Sequence, residues 1–130
     1  MASKFTELEI DCADPNALAR FWCSVLDYEV LEEDDEGVVT IGSPEVPEGK
    51  NRHGPVPPTL TFAPVPEVKT MKNRVHLDVN PTDREQDAEV RRLLDLGARH
   101  ADVGQSGDVS WVVLADPEGN EFCVLADRCP

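Results

Sequence analysis

Leu8, Ile10 and Cys12 alternate with Glu7, Glu9 and Asp11, a period of two that predicts a half-buried strand. Asp14-Pro15 follows. Asp is a good N-cap and Pro is favoured at the first helical position, so a helix is expected to open here. Leu18, Phe21, Trp22, Val25 and Leu26 then recur at helical spacing and form one apolar face, which predicts a helix from about Pro15 to Leu26. Strand-like pieces follow at about Tyr28–Leu31 and Val38–Ile41, joined by an acidic turn from Glu32 to Glu36 and Gly37. Residues 43–58 hold Pro44, Pro47, Pro55, Pro57 and Pro58 with Gly49 and Gly54, and read as a loop. Thr59-Leu60-Thr61-Phe62 alternates again and predicts a strand, which Pro64 and Pro66 end.

The pattern then restarts. Val75, Leu77 and Val79 alternate with His76, Asp78 and Asn80. Thr82-Asp83-Arg84-Glu85 has the spacing of a capping box ahead of a second helix, whose apolar face is Val90, Leu93 and Leu94 and whose C-terminal cap is Gly97. Ala98–Ala101 and Trp111–Leu114 read as strands. Asp116-Pro117-Glu118-Gly119 carries the residue types of a tight turn, and Phe122–Leu125 completes a hairpin. Each half therefore reads as strand, helix and three strands, with Asp11 and Asp78 aligned 67 positions apart. The expected fold is α+β: two tandem βαβββ modules forming a cupped mixed sheet with helices on the outside. The expected organisation is a single domain over residues 1–130, with module one at about 4–64, the proline-rich loop 43–58 inside it, a connector at 65–73 and module two at about 74–127.

Composition narrows the function classes. The formal charge of −14 repels phosphate backbones, which argues against nucleic acid, and leaves solubility or a cationic ligand as its meaning. No apolar run has the length of a membrane span, and the first residues lack an apolar signal core, so the expected location is the cytoplasm. Cys12, Cys23, Cys123 and Cys129 form no Cys-x-x-Cys pair and are expected as reduced thiols.

Three segments resemble a known family. Asn73-Arg74-Val75-His76-Leu77-Asp78-Val79, the turn segment Leu114-Ala115-Asp116-Pro117-Glu118-Gly119-Asn120-Glu121-Phe122-Cys123, and Asp14-Pro15-Asn16-Ala17-Leu18-Ala19-Arg20-Phe21-Trp22 are similar to glyoxalase-like domain proteins of the vicinal oxygen chelate superfamily. The resemblance implies paired βαβββ modules, commonly dimeric, around a cup that binds a small molecule. The superfamily includes metal-dependent isomerases, epimerases, dioxygenases and fosfomycin-modifying enzymes. It also includes bleomycin-binding proteins that only sequester a ligand, so fold alone does not select an activity.

The family's metal ligands come from the first and last strands of each module. At the first-strand positions stand Glu9 and His76, which strand alternation places on the face opposite the apolar residues. At the last-strand positions, where the family usually has Glu, stand Cys123 in module two and Thr61 or Ala63 in module one, depending on register. Two carboxylates of the usual quartet are therefore missing, which argues against glyoxalase I activity and against the iron triad of an extradiol dioxygenase. The preferred reading is a cavity without a cofactor, lined by Glu9, His76, Cys123, Trp111 and Thr61. The competing reading places a divalent metal (Zn, Ni, Mn or Fe) on His76 and Glu9, with Cys123 as a further ligand. In the blander alternative His76 is a structural histidine bonded near Asp78 and Cys123 is a small core residue. Trp111 offers an aromatic wall, whereas Trp22 belongs to the helix core. His53 and His100 read as surface residues. Lys50, Arg52, Lys69, Lys72 and Arg74 form a modest basic set suited to an anionic substrate or to surface ion pairs. The functional expectation is a glyoxalase-like protein that binds a small organic molecule, as a lyase or isomerase or as a metal-free sequestering protein, and that forms a homodimer.

Overall fold

The computed structural model describes residues 2–46 and 53–130, and the chain divides into two compact units, Met1–Val68 and Lys69–Pro130. Pro47, Gly49, Lys50 and Arg52 of the sequence reading lie outside the described residues. Each unit is a strand, a helix and three further strands, so the α+β expectation of two tandem modules holds.

Unit 1 consists of β1 (Glu7–Cys12), α1 (Pro15–Leu26), β2 (Glu29–Glu33), β3 (Val39–Gly42) and β4 (Thr59–Pro64). Its sheet order is β1-β4-β3-β2, with β1 and β4 parallel and the other pairs antiparallel. The ladder places Leu8 opposite Leu60 and Ile10 opposite Phe62, while Val39 and Ile41 join Phe62 and Leu60 from β3. These side chains share one face of the sheet because alternate residues point the same way. Helix α1 packs against β2, β3 and β4 and buries Leu18, Phe21 and Trp22. Phe21 and Trp22 meet edge to face, with ring centroids 5.4 Å apart. The helix starts where the sequence places it: Asp14 Oδ1 accepts the Ala17 N–H at 3.1 Å, and Pro15 occupies the first turn. It ends on Asp27, whose N–H still reaches the Cys23 carbonyl and whose left-handed φ of 53° turns the chain so that the Tyr28 N–H reaches the same carbonyl at 3.1 Å.

Strand β2 starts one residue and ends two residues later than the sequence predicts. A register shift between Val30 and Glu32 bulges the strand, which leaves Val30 half exposed and draws Glu32 and Glu33 into the ladder. The turn proper is then short, and Asp34 Oδ1 closes it by accepting the Glu36 and Val38 N–H groups.

Unit 2 consists of β5 (Asp78–Val79), α2 (Gln86–Asp95), β6 (Arg99–His100), β7 (Val112–Ala115) and β8 (Glu121–Val124), ordered β5-β8-β7-β6. Strands β5 and β8 are parallel, and the remaining pairs are antiparallel. The alternation from Val75 to Val79 overstates β5. The ladder spans Asp78–Val79, Leu77 and Val79 offer their carbonyls to the N–H groups of Cys123 and Leu125, and Val75 is exposed. The capping box is also not made. Helix α2 begins at Gln86 behind Glu85, whose side chain makes no capping bond. Asp83 pairs with Arg84 instead, and the buried Glu89 carboxylate takes the Arg92 guanidinium. Gly97, at φ 117°, turns the chain out of α2 in a conformation that side-chain-bearing residues resist.

The β7–β8 turn follows its sequence signature. The Gly119 N–H reaches the Asp116 carbonyl at 2.9 Å. The Asp116 carboxylate is fully buried and accepts the Glu118 and Asn120 N–H groups and the Asn120 amide. These donors onto one acidic side chain replace the water it loses on burial.

Candidate functional site

In unit 2, β5 and β8 pair so that Asp78 lies opposite Cys123, and β7 places Val113 opposite Cys123 on the far side. Side chains two residues apart on a strand share a face, so His76 and Asp78, Glu121, Cys123 and Leu125, and Trp111 and Val113 all project to the same side. They line a cavity of about 380 Å³, together with Lys72 and the loop residues Val103, Gly104 and Gln105. That volume is within the range of small-molecule sites, and the mixture of apolar walls with a few convergent polar groups is their usual make-up.

The polar groups of the cavity are tied to one another. His76 Nδ1 lies 3.1 Å from Asp78 Oδ1, with both side chains about half exposed. Burial pushes the Cys123 thiol up from its ordinary pKa. The neighbouring Asp78 charge and a hydrogen bond to Asp78 push the same way, and only Lys72 pulls it down. The thiol is thus held protonated, a donor to Asp78 rather than a nucleophile. Burial also works to raise the pKa of Glu121. The hydrogen bond from Lys69 Nζ at 2.8 Å and that from the Asn73 N–H at 3.0 Å outweigh it, and the carboxyl sits below the usual glutamate range.

His76, Asp78 and Cys123 bring a nitrogen, an oxygen and a sulfur donor within 4.8 Å of one another. These donor types suit a soft or borderline divalent ion such as Zn. The raised thiol pKa keeps a proton on Cys123, and a metal would have to displace it and break the contact between His76 and Asp78.

Three of the residues singled out in the sequence, His76, Cys123 and Trp111, line this one cavity. Glu9 and Thr61 belong to unit 1, where β1 and β4 set them opposite each other. Glu9 is exposed. Thr61 is buried, and its hydroxyl lies 3.0 Å from that of Thr40. The register also settles the module-one counterpart of Cys123. Asp11, aligned with Asp78, pairs with Ala63, so the counterpart is Ala63 rather than Thr61. In the sequence Asp78 stands out only as a partner for the histidine, and Glu121 and Gln105 carry no signal of a role. The signal for Asp78 was present in its two-residue spacing from His76 on one strand. The loop that supplies Gln105 carries no comparable pattern. His53 and His100 are exposed, as expected of surface residues, though His100 borders a shallower depression beside the β6–β7 loop. All four cysteines are free thiols. Among the described residues no helix is long and apolar enough to cross a membrane.

The fold and cavity define a member of the vicinal oxygen chelate class. The glyoxalase-like domain profile matches residues 7–125, and the chain belongs to that family. Solved structures of the same fold include a glyoxalase/bleomycin resistance/dioxygenase family enzyme from Burkholderia phytofirmans, 18% identical, covering 94% of this chain and 97% of its own, with a TM-score of 0.66. A variant of the fosfomycin resistance protein FosX from Listeria monocytogenes, complexed with Mn(II) and 1S,2S-dihydroxypropylphosphonic acid, is 12% identical over 97% of this chain and 91% of its own, with a TM-score of 0.70. A glyoxalase-related enzyme from Fulvimarina pelagi is 14% identical over 95% and 87%, with a TM-score of 0.63. No curated protein matches the chain by sequence.

Proposed function

We propose that the protein binds a small organic molecule in the unit 2 cavity and that His76, oriented by Asp78, exchanges a proton with it, as in an isomerase or lyase. The observation that carries this reading is the 3.1 Å contact between His76 Nδ1 and Asp78 Oδ1 on the wall of a largely apolar cavity. A carboxylate that accepts the Nδ1 proton fixes the tautomer and leaves the Nε2 lone pair as a base. A proton moves from a substrate carbon next to a carbonyl to Nε2. The resulting imidazolium is stabilised by Asp78, and the proton returns to a neighbouring atom of the same molecule or is lost with a leaving group. Gln105 and the protonated Cys123 thiol offer further polar contacts for orientation. In this reading both units act as one functional domain, and the protein works as a homodimer in the cytoplasm.

The test is hydrogen–deuterium exchange at carbon. Small α-hydroxy ketones and α-keto acids are incubated with protein in D2O, and loss of the α-proton signal is followed by NMR. The expected result is accelerated exchange that falls about 100-fold or more in His76→Gln. Unaltered exchange across the panel would leave sequestration without chemistry as the function.

A metal-bearing alternative is favoured by the cluster of His76, Asp78 and Cys123. Those three residues would hold the ion, which would supply positive charge to polarise a substrate oxygen. Stoichiometric metal in the purified protein, lost in both His76→Ala and Cys123→Ala, would establish it over the metal-free reading.

A further inference from the structure

Strands β6 and β7 part earlier than their register requires. Arg99 lies opposite Ala115 and His100 opposite Leu114, and the Ala101 N–H reaches the Val113 carbonyl at 3.1 Å. Bonded pairs recur at every second residue of an antiparallel ladder, so the next pair is Val103 with Trp111. That pair is not made. Gln105 intervenes: its Oε1 accepts the Val103 N–H at 2.8 Å, and its Nε2 donates to the Ala101 carbonyl at 3.2 Å. The side-chain amide thus satisfies the backbone groups that β7 would otherwise meet. Asp102 Oδ1 fixes the same loop by accepting the Gly104 N–H at 2.8 Å. Val113 gives its carbonyl to β6, so the backbone groups of Trp111, two residues earlier, face the same way. Among the described residues the Trp111 backbone N–H and C=O have no protein partner.

The gap left by the loop is a depression of about 430 Å³. Gln105, Trp111 and Val113 border both it and the cavity that holds His76, so the two form one groove. Val112 lines the depression too, although its side chain points to the other face of the sheet, which places the depression against the edge of β7.

From this geometry we infer that the groove binds a small molecule bearing a secondary amide, with the amide on the open edge of Trp111 and a flat end in the cavity, and that Gln105 is the positioning residue that keeps the edge open. The inference deepens the binding role proposed above and rests on it. A secondary amide carries one donor and one acceptor, as the absent Val103 partner does, and so completes the ladder at that point. The free edge is one residue long. Ser110 on one side gives its carbonyl to Gln86 Nε2, and β6 covers β7 from Ala101 on the other. That length suits a single amide and is too short for an added strand from another chain. Trp111 is 41% exposed beside it, a large apolar surface that a flat group would cover.

N-benzylacetamide and benzyl acetate test this, since they share a shape but the ester lacks the N–H. Each is titrated into the full isotope-labelled chain and followed by NMR. The Trp111 indole N–H reports on the cavity, and the backbone amides of Trp111 and Gly107 report on the depression. The amide should shift all three signals and bind about fivefold more tightly than the ester, the effect of one hydrogen bond. Gly107 has no left-handed φ, and a Cβ there meets nothing within 4 Å, so Gly107→Leu fills the depression without strain and should erase the difference. Gln105→Leu frees Val103 to pair with Trp111. Hydrogen exchange at the Trp111 amide should then slow about tenfold, and the preference for the amide should vanish. Equal binding of the two probes, or shifts confined to the indole, overturns the inference and leaves the binding reading standing. So does unchanged exchange in a folded Gln105→Leu. If neither probe moves the indole signal, both readings fall.

Discussion

Cys123 and Glu121 sit two residues apart on β8 and face the same cavity, yet their neighbours push their proton affinities in opposite directions. The thiol is protonated and recessed, whereas Cys129 is exposed. Iodoacetamide at about pH 7.5 should therefore label Cys129 at least about tenfold faster than Cys123, as read by mass spectrometry of the digested protein. Equal rates would mean that the Cys123 environment is not the one described. Glu121 is 13% exposed, and its folded-state pKa lies below the unfolded value. Its contribution to stability is present in full above the ordinary glutamate range and is lost as pH falls through the lowered folded value. Glu121→Gln should thus cost about 1–2 kcal/mol at about pH 7 and much less at about pH 3, measured by urea denaturation at each pH. The sequence made His76 and Cys123 legible because strand alternation and the family's positions both point to them, and Trp111 because an aromatic on a hairpin strand offers a wall. It left Glu121 unremarked because its partners, Lys69 and Asn73, lie about 50 residues away along the chain, and no local pattern encodes that meeting.

The elements read most clearly where a local rule and the tertiary environment agree. Helix α1 has an N-cap, a proline in its first turn and one apolar face that the sheet buries, and its observed ends coincide with those expected. Helix α2 has a comparable face but starts late. The Thr82 spacing suggests a cap, yet Asp83, Arg84 and Glu89 satisfy each other through ion pairs and leave the helix to begin behind Glu85. The backbone at Glu85 is already extended, with φ −74° and ψ 160°, as an N-cap requires. Glu85→Ser should therefore stabilise the protein by about 0.5–1 kcal/mol, since the exposed pairing with Arg128 that it gives up is worth little. Asp14→Ala should cost about 1 kcal/mol by loss of the bond to Ala17. Chemical denaturation reads both changes, and a Glu85→Ser variant no more stable than wild type would mean that the new hydroxyl fails to cap. Strand β5 shows the opposite case, where a clean alternation over five residues yields a two-residue ladder because the partner strand supplies bonds only there.

At the scale of the molecule, twenty-six acidic residues against twelve basic ones repel one another in the folded state. Raising NaCl from about 0.01 to 0.15 M shortens the reach of that repulsion and should raise the melting temperature by about 2–5 °C, followed by circular dichroism. A melting temperature that falls with salt would show that favourable ion pairs outweigh the repulsion. The repeated order of elements made the fold legible from one sequence, because each half repeats it about 67 positions on. The cavity was less legible, since its walls also come from a loop and a connector without periodicity. The parallel pairing of first and last strands in each unit has a further, temporal consequence. Thr59 meets Glu7 across 52 positions of chain, so β1 has no neighbour in the sheet until β4 has been synthesised. Growth from the ribosome must leave the opening strand waiting while a helix and two strands emerge, and loop closure of that length slows the final step. During that interval the strand's unpaired edge is open to foreign pairing, a hazard that three acidic side chains, Glu7, Glu9 and Asp11, help to hold off.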